Sequence, residues 1–401
     1  MNSKKGSSSV FLMVILAALI LIVFSLIHGV REESVSSRAD AVINLAGDSI
    51  LSEFDYDVQK EYGLFLLHGT DDELSEKLRS YVDYVFEEME EVKVENVKVS
   101  ATGFSVINNE IVIDQIKEHM KLIEAEGLFE KLRGQDDEES NSMPERTLRY
   151  GPAIVSLPSD AVPEKKLSVL AESIADNVSQ VESVFSTGTE KFILNRYIMM
   201  HFNNRVHAVD KEHFFKNEAE YILGGKMSDR KNEKRMEIAL KVLRFPLNLA
   251  HIYSDAEKYE ATMAMAQVLT PGAGAAATQA ALASTWAYAE ADNDVELLWQ
   301  GSKVPMIKDK DTWAMDLDSA VEGVFGGTAK PAEEKGYDYE EYLQILLFFQ
   351  DRNIKASRIL DLIQINCRKN INRDFSIQEY AAGISVDAEI NGKRYSYEKH
   401  Y

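Results

Sequence analysis

The chain has 401 residues, 45% of them apolar, and carries 66 Asp and Glu against 44 Lys and Arg for a formal net charge of −22. Such acidity repels nucleic-acid phosphates and anionic lipid headgroups, so no nucleic-acid partner is expected. The single cysteine, Cys367, excludes an intrachain disulfide and a four-cysteine zinc site.

The chain opens with "KKGSSSVFLMVILAALILIVFSLIHGV". From Val10 to Ile27 the only polar residue is Ser25. As a helix this run is roughly 27 Å long, about the thickness of a bilayer's hydrocarbon core. Lys4 and Lys5 precede it, and Arg31, Glu32 and Glu33 follow. The positive-inside rule therefore predicts a cytoplasmic tail at 1–9, a transmembrane helix at 10–28 and an external remainder. Ile27-His28-Gly29 is a poor cleavage site, which favours a retained anchor over a signal peptide.

Residues 31–62 contain no proline, and Val35, Ala39, Val42, Ala46, Ile50 and Phe54 recur at steps of three and four. That spacing predicts a long external amphipathic helix running on from the membrane segment. A continuous rod leaving the membrane has the shape of a type IV pilin or pseudopilin. A signal anchor whose first external helix packs on its own domain fits the same pattern, and the pattern alone leaves both open.

Farther on, "ELSEKLRSYVDYVFEEMEE" predicts an amphipathic helix, and "VKVENVKVSATGFSVINNEIVI" a hairpin turning at Asn108-Asn109. "DQIKEHMKLIEAEGLFEKL" again predicts helix, and the polar, acidic stretch 134–147 a linker. "KFILNRYIMMHF" fits helix or strand, and "HFFKNEAEYILGG" predicts a strand closing on a Gly pair. Residues 229–300 predict helix broken near Pro271, and "YEEYLQILLFFQDRNIKASRILDLIQIN" one long buried helix. At the C-terminus, Asn391-Gly392 joins two alternating runs, a hairpin signal. The expected fold is a helix-rich α+β ectodomain with short antiparallel sheets or hairpins. It divides into a membrane-proximal lobe at 29–135 and a distal lobe at 148–401 ending in the hairpin.

Three motifs carry chemistry on paper. Gly272-x-Gly274-x-x-Ala277 partly matches a dinucleotide fingerprint, but the segment before it predicts helix where the fingerprint needs a strand. Thr270 as N-cap and Pro271 in the first turn explain it as a helix start. His201, His207 and His213 recur at steps of six, with Asp210 and Glu212 between the last two; Asn203-Asn204 breaks a common strand register, which favours surface or interstrand histidines over a zinc site. Ser228 and Lys231 satisfy S-x-x-K, though Ser228 reads better as an N-cap. The aromatic runs, including Tyr395, Tyr397 and Tyr401, read as core or half-buried sheet, with a contact role for the last three if they are exposed. No catalytic, cofactor or metal site is expected.

"KKGSSSVFLMVILAALILIVF" and the later stretches "SRADAVINLAGDSILSEFDYDVQKEYGLFLL", "EAEYILGGKMSDRKNEKRM", "TWAYAEADNDVELLWQGSKVPMIK" and "YDYEEYLQILLFF" resemble a poorly characterised family of large single-pass proteins from Firmicutes associated with tight-adherence (Tad/Flp-type) pilus genes. The membrane-segment logic is similar to that of TadE/TadG-type minor components. The resemblance implies a non-enzymatic pilus or assembly component, with other pilus or assembly-platform proteins meeting its N-terminal helix. It also makes the bond between Gly6 and Ser7 the candidate processing site. Processed pilins carry a glutamate at the fifth mature position; here that position is Phe11, and the apolar run holds no acid. An unpaired new amino terminus at membrane depth is costly, so the expectation is an unprocessed anchor. An anchored binding or adhesion module that never enters a filament is the alternative.

Overall fold

The computed structural model describes residues 5–87, 89, 92–125, 141–148, 157–163, 166–185, 189–210, 212–323 and 328–401. It is a helix-rich α+β chain that forms two compact units. They are not sequential: residues 1–59, 65–106 and 379–401 make one, and residues 60–64 and 107–378 the other. The C-terminal hairpin thus belongs with the N-terminal helix, unlike the division near residue 140 read from sequence. Of the expected linker, residues 134–140 lie outside the described residues.

The first unit starts with α1 (Lys5–Leu51), a single helix of 47 residues. It is followed by α2 (Tyr56–Tyr62), whose last three residues, from Lys60 on, belong to the second unit, and by β1 (Leu67–His68), α3 (Asp71–Phe86), β2 (Val94–Ser100), β3 (Tyr380–Ala381), β4 (Gly383–Ile390) and β5 (Lys393–His400). Strands β2, β4 and β5 form an antiparallel sheet in the order β2-β4-β5, and β1 pairs antiparallel with β3. One face of the larger sheet (Val97, Val99, Ile384, Val386, Ala388, Ile390) shares a core with Ala39, Ile43, Ala46 and Ile50 of α1 and with Leu74, Leu78, Val82 and Phe86 of α3. Helix α3 starts on a full capping box, in which Thr70 accepts from the Glu73 amide and Glu73 from the Thr70 amide.

The amphipathic spacing after residue 31 is borne out for Ala39, Ala46 and Ile50, with Ile43 added to the same face. The helix stops at Leu51, short of the expected residue 62, and starts at Lys5, ahead of the expected Val10. Phe54 lies past its end, packed edge-on to Phe65. The hairpin expected at Asn108-Asn109 does not form. β2 pairs with β4 instead, and Asn108 caps a helix by accepting from the Glu110 amide. The Asn391-Gly392 hairpin does form, with both residues at positive φ (50° and 73°), as its two-residue turn requires.

The second unit is helical, its elements being α4 (Asn109–Ala125), α5 (Leu167–Asp176), α6 (Glu190–His201), α7 (Glu218–Gly224), α8 (Asp229–Ser254), α9 (Ala256–Leu269), α10 (Ala275–Trp299), α11 (Leu317–Glu322), α12 (Tyr339–Phe349) and α13 (Arg352–Asn370). Every residue of α13 from Ile354 to Cys367 is buried, which makes it the unit's central helix. The long helix expected over 339–366 is in fact α12 and α13, separated where Asp351 caps the second by accepting from the Asn353 and Ile354 amides. The expected strand "HFFKNEAEYILGG" is helix α7. A short apolar run fits either state, and its Gly pair closes the helix, with Gly225 left-handed at φ 66°.

A four-charge cluster is sealed in this unit. Arg244 Nε donates to Asp294 Oδ2 at 2.9 Å, and Lys308 bridges Glu290 and Asp294, with all four side chains essentially unexposed. Asn248 ties Arg244 to Asp294, and the Ala314 and Met315 amides donate to Glu290. Two cations and two anions balance, so the buried charges are compensated pairwise.

Candidate functional site

The apolar half of α1 is bare. Side chains from Val10 to Val30 are exposed, among them Phe24 at 73% and Val30 at 70%. This is the one helix among the described residues long and apolar enough to cross a membrane. So large an exposed apolar surface is compatible with a membrane anchor or a signal sequence. Of the residues marked in the sequence, Lys4 lies outside the described residues. Lys5, Gly6 and Ser7 fall in the first helical turns, and Val10 and Ile27 bound the exposed run. Arg31 lines a cavity of about 370 Å³ with His28, Glu32, Ser36, Lys393 and Tyr395.

Past that cavity, strand β5 is laced to α1. Lys393 and Tyr395 bond Ser36, Tyr397 bonds Asp40, Lys399 pairs with Asp48, and the Tyr401 hydroxyl donates to the Leu51 carbonyl. Lys393, Tyr395, Tyr397 and Lys399 are alternate residues of β5, so they share a face, and Tyr401 just past its end continues the alternation. A slip of one residue would turn Arg394, Ser396 and Glu398 to the helix instead. The three C-terminal tyrosines therefore act within the unit, with Tyr395 buried in its core. Burial and the Asp40 acceptor push the Tyr397 hydroxyl up to about 12.

In the helical unit, the histidines that recur at steps of six do not share a face. His201 ends α6 and is buried against His119 and Tyr197, with Nδ1 2.8 Å from the Glu61 carbonyl. Burial, reinforced by His119, drives it down to about 3, so its ring is neutral. His207 sits in a turn closed on Asn204 and lines a separate cavity of about 520 Å³ with Arg205, Trp299 and Tyr339. His213 is buried between two carboxylates, Glu218 Oε2 2.7 Å from Nδ1 and Glu61 Oε1 2.9 Å from Nε2. The expectation of surface or interstrand histidines fails for His201 and His213. Neither lies on a strand, and both are buried because α2 supplies Glu61 and α7 supplies Glu218. The Asn203-Asn204 turn holds: Asn203 fastens the loop to Asp210 through its side chain, and its own amide donates to Glu218. Glu61 and Glu218 were not legible as site residues, since Glu61 is 152 positions from His213 and neither sits in a motif.

The remaining motifs resolve structurally. Helix α9, not a strand, precedes Gly272, so the dinucleotide geometry is absent. Thr270 caps the C-terminus of α9 and bonds Thr278; it is not the N-cap expected of it. Ser228 does stand at the N-cap of α8, but its hydroxyl pairs with Thr147 at 3.0 Å, not with a helix amide.

A family model for a family of unknown function, DUF5702, matches residues 144–392. The chain belongs to the DUF5702 family. The match spans most of the helical unit together with β3 and β4, and it starts well after α1. No curated protein and no solved structure matches the chain. The DUF5702 region therefore contains His213, Asp210 and Glu218, whereas Glu61 and the bare apolar helix lie before it.

Proposed function

We propose that this DUF5702 chain is a non-enzymatic, pilin-like minor component of a tight-adherence pilus or its assembly apparatus. Residues 10–28 anchor it, and the bulk lies outside the membrane. One observation carries the reading: α1 runs unbroken for 47 residues, bare and apolar in its first half and packed on an antiparallel sheet in its second. A tethered soluble enzyme is usually joined to its anchor by a flexible polar linker, which would leave its position free. Here the helix that leaves the apolar run is itself a core element, so any displacement of the anchor is transmitted rigidly to the sheet. Partners that meet the N-terminal helix would thereby orient the whole first unit. Phe11, standing where processed pilins carry an acid, supports a retained N-terminus.

The reading is tested by shearing surface filaments from cells and measuring the protein's mass and N-terminus in the filament and membrane fractions. Recovery in sheared filaments supports a filament component, and a Ser7 N-terminus there would show processing. Recovery only in membranes, with residues 1–9 intact, would overturn filament incorporation and leave the anchored binding module. Recovery only in the soluble fraction, with the N-terminus cut near Gly29, would overturn the anchor itself.

A further inference from the structure

We propose that Glu61, Asp210 and His213 form a binding site for a first-row divalent transition-metal cation such as zinc. One ligand atom from each of the three lies within 4.8 Å of the others. Tetrahedral zinc ligands sit about 2.0–2.1 Å from the metal, and hence roughly 3.4 Å from one another. The 2.9 Å between His213 Nε2 and Glu61 Oε1 is a hydrogen bond about 0.5 Å shorter than that, so a cation would replace this bond as the two side chains move slightly apart.

The surroundings of His213 have the form of a metal ligand's second shell. Fully buried Glu218 holds Nδ1 at 2.7 Å, which fixes the ring and leaves Nε2 directed at Glu61. Metal-ligating histidines carry just such a carboxylate on the nitrogen that does not bind the metal. Glu218 is itself fixed by the Asn203 amide and by Asn366 Nδ2, so the ring is held by a rigid frame. Among the described residues, the neighbouring cations Lys369 and Arg146 bind elsewhere. Lys369 donates to the Glu212 and His213 carbonyls, and Arg146 to those of His213 and Phe214, rather than to the three ligand atoms.

Glu61 and Asp210 are only half-buried, so solvent or a further ligand can complete the coordination. One imidazole and two carboxylates suit zinc or manganese, whereas calcium and magnesium prefer oxygen ligands alone. Bound there, a cation would staple Glu61 to Asp210 and His213 within the helical unit.

The test uses the full chain purified in detergent, stripped with a chelator and titrated with Zn²⁺, with Mg²⁺ as the contrast. The expected result is one equivalent of zinc bound far more tightly than magnesium. Asp210→Asn keeps an oxygen to accept from the Glu212 amide, so the loop is preserved, and it should weaken zinc binding by at least about tenfold. His207→Ala should leave zinc binding unchanged, because His207 lines the other cavity. Zinc bound no more tightly than magnesium would overturn the proposal, and so would native zinc affinity in Asp210→Asn.

Discussion

Ile43 tests whether the sheet really holds the lower half of α1. Its side chain is fully buried, with Ala39 one turn before it and Ala46 one turn after on the same face. Ile43→Ala removes a branched side chain from a position whose helical neighbours are already small, so those neighbours cannot fill the gap. Buried Ile→Ala changes cost about 2–5 kcal/mol, and a site this poorly able to collapse should lose about 3 kcal/mol. At about 1.4 kcal/mol per tenfold, local opening of the helix would become roughly 150-fold more frequent. Hydrogen exchange of the full chain in detergent, read on peptides covering 36–51, should show that acceleration. Leu45→Ala, on the opposite face and 63% exposed, should change exchange little, within about 0.5 kcal/mol. Equal exchange in the two variants would refute the reasoning, because the buried face would then not be what holds the helix.

Removing one partner of the sealed charge cluster should be costly: Arg244→Met leaves Lys308 as the one cation of the cluster against both Glu290 and Asp294 and should lower stability by about 3–5 kcal/mol, read from urea unfolding followed by tryptophan fluorescence. Adding Asp294→Asn to that variant should recover part of the loss, whereas no recovery would mean that Arg244 acts through packing alone. Lys355 is buried against Asn195 Oδ1 and the Leu347 carbonyl, and burial, reinforced by Lys191, brings it down to about 7. Between pH 7 and about 10.5 the unfolded chain therefore binds one more proton than the folded chain, so stability rises with pH across that window. Relative to Lys355→Met, the native chain should gain about 2 kcal/mol between pH 7 and pH 9, and parallel profiles would refute this. Gly392→Ala forces a side chain into a left-handed turn at φ 73° and should cost about 1–2 kcal/mol, seen as faster exchange in β4 and β5.

Local chemistry made several elements legible from the sequence alone. The apolar run from Val10 to Ile27 could only be a long helix with nothing polar to bury, and the three- and four-residue spacing of Ala39, Ala46 and Ile50 fixed its inward face. Asn391-Gly392 specified its turn because those two residues tolerate positive φ. Proline and glycine near residue 271 marked the break before α10 for a similarly local reason. Where two states are close in energy, tertiary partners decided. β2 lacked a local mate and paired with β4, almost three hundred residues away, because their apolar faces close one core over α1 and α3. The run at Glu218–Gly224 became helix because burial on α13 outweighed its ambiguous pattern. The Glu61–His213–Glu218 constellation was invisible for the same reason. Its three members come from α2, a loop and α7, and only packing around α13 brings their charges within hydrogen-bonding distance. Sequence by itself therefore determined the bare helix and its turns, because backbone preference and side-chain spacing act over a few residues. Folding alone decided the strand partners and the buried charges, because desolvation is settled only when distant segments meet.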